Sequence, residues 1–219
     1  SIEEGLALAK GIGFPVMVKA MAGGGGRGMR PVMDESEFES QFNAASKEAE
    51  ACFNNGDCYI EKLVLEPHHI EFQILADNYG NYLQLGERDC SMQRRNQKII
   101  EECPSPLISE ELRERMAVAS VSLIKAIEYR NAGTIEYLVN ADATDFYFME
   151  MNTRIQVEHP VTEEVMGCEL IKEQIRIAAG DPVSEHVIGT EPRGHSIECR
   201  INAEDPYNNF TPSPGTIDL

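Results

Sequence analysis

The sequence predicts an α+β fold in which a small lobe is followed by a larger lobe of antiparallel sheet with flanking helices. Strand-length apolar runs recur across short turns, as at 69–76 and 82–86 around DNYGN, and at 133–139 and 146–152 around a brief polar segment. Two stretches, 36–53 and 109–129, carry apolar stripes at helical spacing. The glycine-rich loop AGGGGRGM is followed by another strand-like run, RPVM, where a dinucleotide fold would open a helix.

At 219 residues and 42% hydrophobic content, the chain fits one large domain or two small ones with a real core. Nineteen basic against thirty-seven acidic residues give a net charge of −18. That balance excludes nonspecific nucleic-acid binding, which relies on Lys and Arg at phosphates, while leaving room for a local basic pocket. The six cysteines at 52, 58, 90, 103, 168 and 199 form no CxxC pair and no His-coupled zinc spacing, so reduced thiols in an intracellular protein are expected. No apolar run approaches spanning length and no signal peptide is read, so a soluble protein without a membrane partner is expected. The chain opens on Ser1 rather than Met, which suggests a fragment or a processed chain.

In chain order, 3–11 reads as a helix with Ile2, Leu6 and Ala9 on one stripe, acids in its first turn, and Gly11 or Gly13 at its end. The strand 14–20 follows, with Lys19 as its only charge. Such a lysine commonly snorkels, but beside a glycine loop it also suits phosphate contact. Gly23, Gly25 and Gly28 satisfy GxGxxG without the helix that motif needs, and the Walker ending is absent. What remains is a glycine-rich hairpin whose backbone N–H groups could close over phosphates as a lid. The helix 36–53 takes Ser36 as cap, Glu39 as capping-box partner, and Phe38, Phe42, Ala45 and Ala49 as inner face. A strand at 58–64 joins the lid to the next lobe, where backbone groups suit adenine and Glu61 and Lys62 stand at the joint.

His68 reads as an ordinary loop histidine. In 87–98, ERDCSMQRRNQK, the bases Arg88, Arg94, Arg95 and Lys98 make either a solvated run or the anion-binding side of a cleft. The helix 109–129 buries Leu112, Met116, Ala119, Leu123 and Ile127, and 162–180 reads as helix with a weak point at Gly167. After a loop at 181–192, a strand at 195–203 puts Glu198 and Arg200 on one face.

The chemistry concentrates at 146–160, FYFMEMNTRIQVEHP. Strict alternation sends Phe146, Phe148, Glu150 and Asn152 to one face and Tyr147, Met149 and Met151 to the other. Pairing with 133–139 brings Glu136 near Glu150. Two acids and an amide suit a hard cation, and Mg2+ held by few carboxylates keeps waters and substrate phosphates as its other ligands, which points to a nucleotide. Beyond the strand come Arg154, Gln156, Glu158 and His159. A guanidinium can hold a small planar anion through two parallel hydrogen bonds, and a glutamate can take or give a proton. A strand end with solvated charges is the plain alternative.

Five motifs, KAMAGGGGRGMR, ERDCSMQRRNQK, GTIEYLV, FMEMNTRIQVEHPVTE and RGHSIECRINAEDP, lie between residues 19 and 206. On them the chain resembles the ATP-grasp part of biotin carboxylase, nearly collinearly. The resemblance implies two sheet-containing lobes gripping ATP, divided as a lid lobe at 1–62, a central lobe at 63–192 and the start of a C-terminal domain at 193–219. It implies that Mg-ATP activates bicarbonate as carboxyphosphate, which then carboxylates biotin on a carrier protein.

By matching position, Lys19, Gly25 and Gly26 contact phosphates, Glu61, Lys62, Leu63 and Val64 form the adenine-side hinge, and His69, Gln93 and Asn96 add nucleotide contacts. Glu136, Glu150 and Asn152 hold Mg2+ or Mn2+. Lys98, Arg154, Gln156 and Val157 bind bicarbonate, Glu158 deprotonates it, and Arg200 stabilises the enolate-like oxygen of biotin. Asn96 stands where many relatives have His.

Implied partners are bicarbonate, a biotin carboxyl carrier protein or domain, a carboxyltransferase component that selects the final acceptor, and a second copy in a full-length homodimer. The implied location is cytoplasm or an organelle matrix. The resemblance omits the family's N-terminal domain, so the expectation is roughly half an enzyme, inactive alone. Two rivals stay open: another bicarbonate-activating ATP-grasp ligase, such as one passing the activated group to ammonia to form carbamoyl phosphate, and a noncatalytic nucleotide-binding module.

Overall fold

The computed structural model describes residues 1–22 and 28–216. Gly25 and Gly26 lie outside the described residues. The chain divides into two compact units, Ser1–Leu65 and Glu66–Leu219.

The first unit opens with α1 (Ile2–Ile12), whose N-terminus is closed by a capping box between Ser1 and Glu4. Its antiparallel sheet runs in the order β2–β1–β3, with β1 Val16–Ala20, β2 Met29–Val32 and β3 Cys58–Lys62. Gly28, at φ +71°, lies so close under β1 that a Cβ would stand 2.7 Å from that of Ala20, so the strand entering β2 requires glycine there. Helix α2 (Phe38–Phe53) and α1 enclose a core of Ala9, Val16, Val18, Val32, Phe38 and Ala45.

Ser36 is not the cap of α2. The Asp34 carboxylate accepts from the Ser36 amide at 2.8 Å and from its hydroxyl at 2.5 Å, and a 3-10 turn at Glu35–Glu37 precedes the helix. An ionised carboxylate two residues earlier takes the amide and the hydroxyl together, so the serine becomes its donor.

The second unit is built on a six-stranded antiparallel sheet in the order β8–β7–β4–β5–β6–β9. The strands are β4 His68–Ala76, β5 Tyr82–Arg94, β6 Gln97–Cys103, β7 Asn131–Val139, β8 Phe146–Asn152 and β9 Ser196–Cys199. Helix α3 (Glu110–Ala126) covers one face, burying Leu112, Met116 and Ile124 against Ile70, Phe72, Ile74, Ile135 and Tyr137. On the other face α4 (His159–Met166) and α5 (Leu170–Ala179) bury Val161, Val165, Leu170 and Ile177 against Leu75, Leu85 and Cys103. The expected helix 162–180 is thus two helices, broken where Gly167 adopts φ +63°.

Three corrections concern the sheet. The strand expected at 82–86 runs on to Arg94, and the charged stretch folds into a hairpin with β6. Its two-residue turn, Arg95 and Asn96, has φ of +54° and +62°, the mirror-image turn that matches strand twist. Secondly, β8 carries a bulge: Glu136 pairs with Glu150 but Tyr137 pairs with Phe148, leaving Met149 extra. The bulge breaks the strict alternation. Phe146 and Phe148 pack their rings edge-on to Tyr137 on the α3 side, while Met149, Glu150 and Asn152 line a cleft on the opposite face. Thirdly, the strand expected at 195–203 covers only Ser196–Cys199, on the sheet edge beside β6.

A two-strand ladder, β10 (Glu204–Asp205) with β11 (Thr211–Pro212), follows. All six cysteines are free. Among the described residues no helix is long and apolar enough to cross a membrane.

Candidate active site

The polar side of β4 faces α4. Glu71 and Gln73 occupy the row that ends in the core residue Leu75, and a guanidinium from β5 meets them there. Arg88 is fully buried and spends its donors on five partners: Glu71 Oε1 at 2.6 Å, Gln73 Oε1 at 2.8 Å, Thr162 Oγ1 at 3.0 Å, Thr134 Oγ1 at 3.2 Å and Gln156 Oε1 at 3.3 Å. These come from β4, β7, α4 and the loop after β8, so one side chain fixes the relative position of four segments.

Lys98, at the start of β6, donates to Glu71 Oε2 at 2.6 Å, Glu158 Oε1 at 2.6 Å and Glu136 Oε1 at 3.1 Å. Burial would lower its pKa, but the carboxylates, Glu71 foremost and then Glu158, push it upward. Glu71 responds in the opposite sense: burial would raise it, and Arg88 and Lys98 hold it below the ordinary carboxylate range. The Cys90 thiol among them is pushed up by burial first and Glu71 second, so it stays a thiol. Arg200, one residue past β9, donates to Glu101 Oε1 at 2.6 Å and to Glu158 Oε2 at 2.9 Å. Both oxygens of the buried Glu158 are therefore held by cations.

Above this floor opens a cleft of about 880 Å³. Glu136 and Glu150, opposed across β7 and β8, are joined by Asn152, whose amide nitrogen lies 2.9 Å from Glu136 and 3.3 Å from Glu150. His69 Nδ1 stands 2.8 Å from the Gln93 amide, and its Nε2 stands 2.7 Å from Glu136 Oε2, off the angle of a good hydrogen bond. Burial would raise the Glu136 carboxyl, but the His69 ring and Lys98 bring it down to about 2, so it is anionic at neutral pH. Arg154 is exposed and makes two weak internal contacts, to the Ile155 carbonyl at 3.1 Å and Asn152 Oδ1 at 3.3 Å.

Hard-cation chemistry fits Glu136, Glu150 and Asn152. Two carboxylates converge on a point where the amide's partial positive charge now stands, and their oxygen ligands leave room for waters and phosphates. Two other groupings, His69 with Glu71 and Glu136, and Glu71 with Cys90 and Glu158, bring ligand-type atoms within 4.8 Å of one another. The Lys98 ammonium already sits among the carboxylates of both.

Every site residue expected in the second unit lines this one cleft: His69, Gln93, Asn96, Lys98, Glu136, Glu150, Asn152, Arg154, Gln156, Val157, Glu158 and Arg200. Of the four bases in 87–98 only Lys98 does. Arg88 is below the floor, and Arg94 and Arg95 reach back to Glu204 and Asn209. In the first unit Lys19 pairs with Glu61, Lys62 donates to the carbonyls of Gly13 and Phe14 at 2.8 and 3.3 Å, and Leu63 and Val64 are half-buried.

Sequence reasoning missed Glu71 and Glu101 and treated Arg88 as one base among four. The signal for Glu71 was present: a Glu and a Gln two apart inside an otherwise apolar strand, HIEFQILA, need a buried polar partner.

The family model for the "carbamoyl-phosphate synthase L chain, ATP binding domain" matches residues 1–186. The chain belongs to this family. Its fold is the ATP-grasp, as expected. The resemblance to biotin carboxylase is borne out by a Nostoc biotin carboxylase, 60% identical over 215 residues, 98% of this chain and 48% of that protein. Among solved structures, a Campylobacter jejuni biotin carboxylase in complex with β-γ-ATP superposes with a TM-score of 0.87 at 49% identity, covering 98% of this chain and 48% of the other. The biotin carboxylase domain dimer of Hydrogenobacter thermophilus 2-oxoglutarate carboxylase, described with MgADP, ADP and bicarbonate, gives 0.84 at 50% identity over 97% and 47% of the two chains. This ATP-grasp chain spans about half the length of the curated relatives it matches.

Proposed function

We propose that this chain carries the ATP-grasp portion of a biotin carboxylase, which uses Mg-ATP to activate bicarbonate as carboxyphosphate and carboxylates biotin on a carrier protein. The observation that carries the reading is Glu158: one carboxylate held at both oxygens, by Lys98 and Arg200, beside a carboxylate pair suited to a cation and an arginine with free donors.

Glu136, Glu150 and Asn152 would hold Mg2+ or Mn2+, which offsets charge on phosphate oxygens. Lys19, Gly25 and Gly26 would reach the phosphates, Glu61, Lys62, Leu63 and Val64 the adenine side, and His69, Gln93 and Asn96 further parts of the nucleotide. Arg154 offers a planar fork to bicarbonate, with Lys98, Gln156 and Val157 lining the same place. Glu158 takes the bicarbonate proton at a carboxylate oxygen. Because Lys98 and Arg200 fix that carboxylate, the proton acceptor is oriented before substrate arrives. Arg200 then faces oxyanion character on the biotin ureido ring as its nitrogen becomes nucleophilic.

The reading carries with it a division into 1–62, 63–192 and 193–219, a carrier protein or domain and a carboxyltransferase as partners, homodimerisation of the full-length protein, and a cytoplasmic or organelle-matrix location. The family model's description supports a second reading, transfer of the activated group to ammonia.

The deciding experiment is bicarbonate-dependent ATP hydrolysis by this chain with Mg2+, comparing free biotin with ammonium. Stimulation by biotin that Arg154→Ala removes supports the first reading; stimulation by ammonium instead supports the second. If neither stimulates, a rise in melting temperature with Mg-ATP that Glu136→Gln diminishes preserves nucleotide binding at the proposed site, and its absence removes it.

A further inference from the structure

Directly below Arg200, two glutamates oppose each other across the edge of the sheet. Glu101 on β6 and Glu198 on β9 are register partners, so their side chains leave the same face from neighbouring Cβ atoms. Glu101 is fully buried. Each has one carboxylate oxygen, Oε2, buried with no hydrogen-bond donor among the described residues. Like charges directly opposite on a sheet repel, and an orphaned buried acceptor is destabilising. The surrounding cations do not remove the conflict. Arg200 gives one N–H to Glu101 Oε1 and another to Glu158, Arg88 is saturated by its five partners, and His159 Nδ1 lies 2.8 Å from the Gln156 carbonyl. Glu158 adds a third negative charge on the same side.

We propose that Glu101 and Glu198 hold one proton between their two unpartnered Oε2 atoms, and that Glu198 is thereby a positioning residue for Arg200. One proton satisfies both orphaned oxygens in a single O–H···O contact. It leaves Glu101 Oε1 free to accept from Arg200, so the guanidinium is aimed at Glu158 and the cleft by an acid pair carrying one net charge. Both carboxyls are raised by burial first, in keeping with a retained proton. Proton sharing stands on the geometry alone; only the consequence for catalysis rests on the role given above to Arg200.

The test reads the carboxyls directly, by side-chain 13C NMR titration of this chain with glutamates labelled and resonances assigned from Glu101→Gln and Glu198→Gln. Expected is that both wild-type signals move together and above 4.5, the ordinary glutamate value, and that in Glu198→Gln the Glu101 signal shifts its midpoint downward. A raised acid stabilises the fold below its ordinary value, and that contribution is lost as pH rises through the folded-state value. The wild-type melting temperature should therefore fall relative to Glu198→Gln above pH 4.5, the amide supplying the donor permanently. Independent titration of the two carboxyls, or melting curves that run parallel in the two proteins, overturns the proposal. Neither readout depends on turnover, so an inactive chain leaves the result intact. In a biotin-carboxylating protein containing this sequence, Glu198→Gln would flatten the pH dependence of kcat while Glu198→Ala lowers kcat at every pH; equal effects of the two count against positioning.

Discussion

The floor and the rim of the cleft use the same residue types in opposite ways. On the floor, Arg88, Glu71 and Glu158 are buried, Lys98 is half-buried, and the four pair with one another. At the rim, Glu150, Arg154 and Asn96 are exposed, and among the described residues Arg154 makes two weak contacts. A charge that has finished its hydrogen bonds can orient its neighbours but has little left for a ligand. A charge held loosely can meet an anion at small cost. The difference separates Arg88 and Glu71, which shape the site, from Arg154 and Glu150, which face what enters it; Lys98 and Glu158 do both, paired with each other yet lining the cleft.

The sharpest way to break that contrast is to remove the hub. Arg88→Met should cost about 3–5 kcal/mol in denaturant unfolding, because Glu71 is left buried without its main partner; a loss under about 1 kcal/mol would mean the floor is not organised around this arginine. Next comes acidity. With Glu71 held low by Arg88 and Lys98, the unfolded chain binds more protons below the ordinary value of 4.5. Its stabilising contribution is present above that value and lost as pH falls. Glu71→Gln should flatten the acid limb of the melting-temperature profile, and an unchanged limb would show that the pairing is energetically idle.

Smaller effects belong to the rim. Asn96→Ala should cost about 1 kcal/mol in thermal unfolding, since an alanine is placed at φ +62°, whereas Asn96→Gly should be nearly neutral. Equal losses in the two would point to a side-chain role instead. Smallest of all, Arg154→Ala should change stability by less than about 0.5 kcal/mol yet abolish any effect of bicarbonate on Mg-ATP binding measured by calorimetry. Stability loss comparable to that of Arg88→Met would erase the distinction.

Legibility in the sequence followed the same line. Rim residues could be read because they follow one another in FMEMNTRIQVEHP, and the Glu136 and Glu150 pairing followed from two strands and a short turn. The floor could not, since the partners of Arg88 lie 15 to 74 residues away and their meeting depends on strand order. The helix start expected at Ser36 was misplaced because the Asp34 carboxylate accepts from the Ser36 amide and hydroxyl. Asp34 caps a 3-10 turn that precedes α2, and the helix itself begins after Glu37 without a side-chain cap.

The bulge at Met149 has a consequence for how the sequence of β8 can change over generations. Its one extra residue acts like a frame marker in a message: upstream of it even-numbered positions read toward α3, downstream toward the cleft. Deleting Met149 would give a regular ladder that keeps Tyr137 opposite Phe148 and Glu136 opposite Glu150, whereas deleting Met151 would turn Asn152 away from the two acids. A change of length by one is thus a change of meaning everywhere in this strand except at the bulge itself.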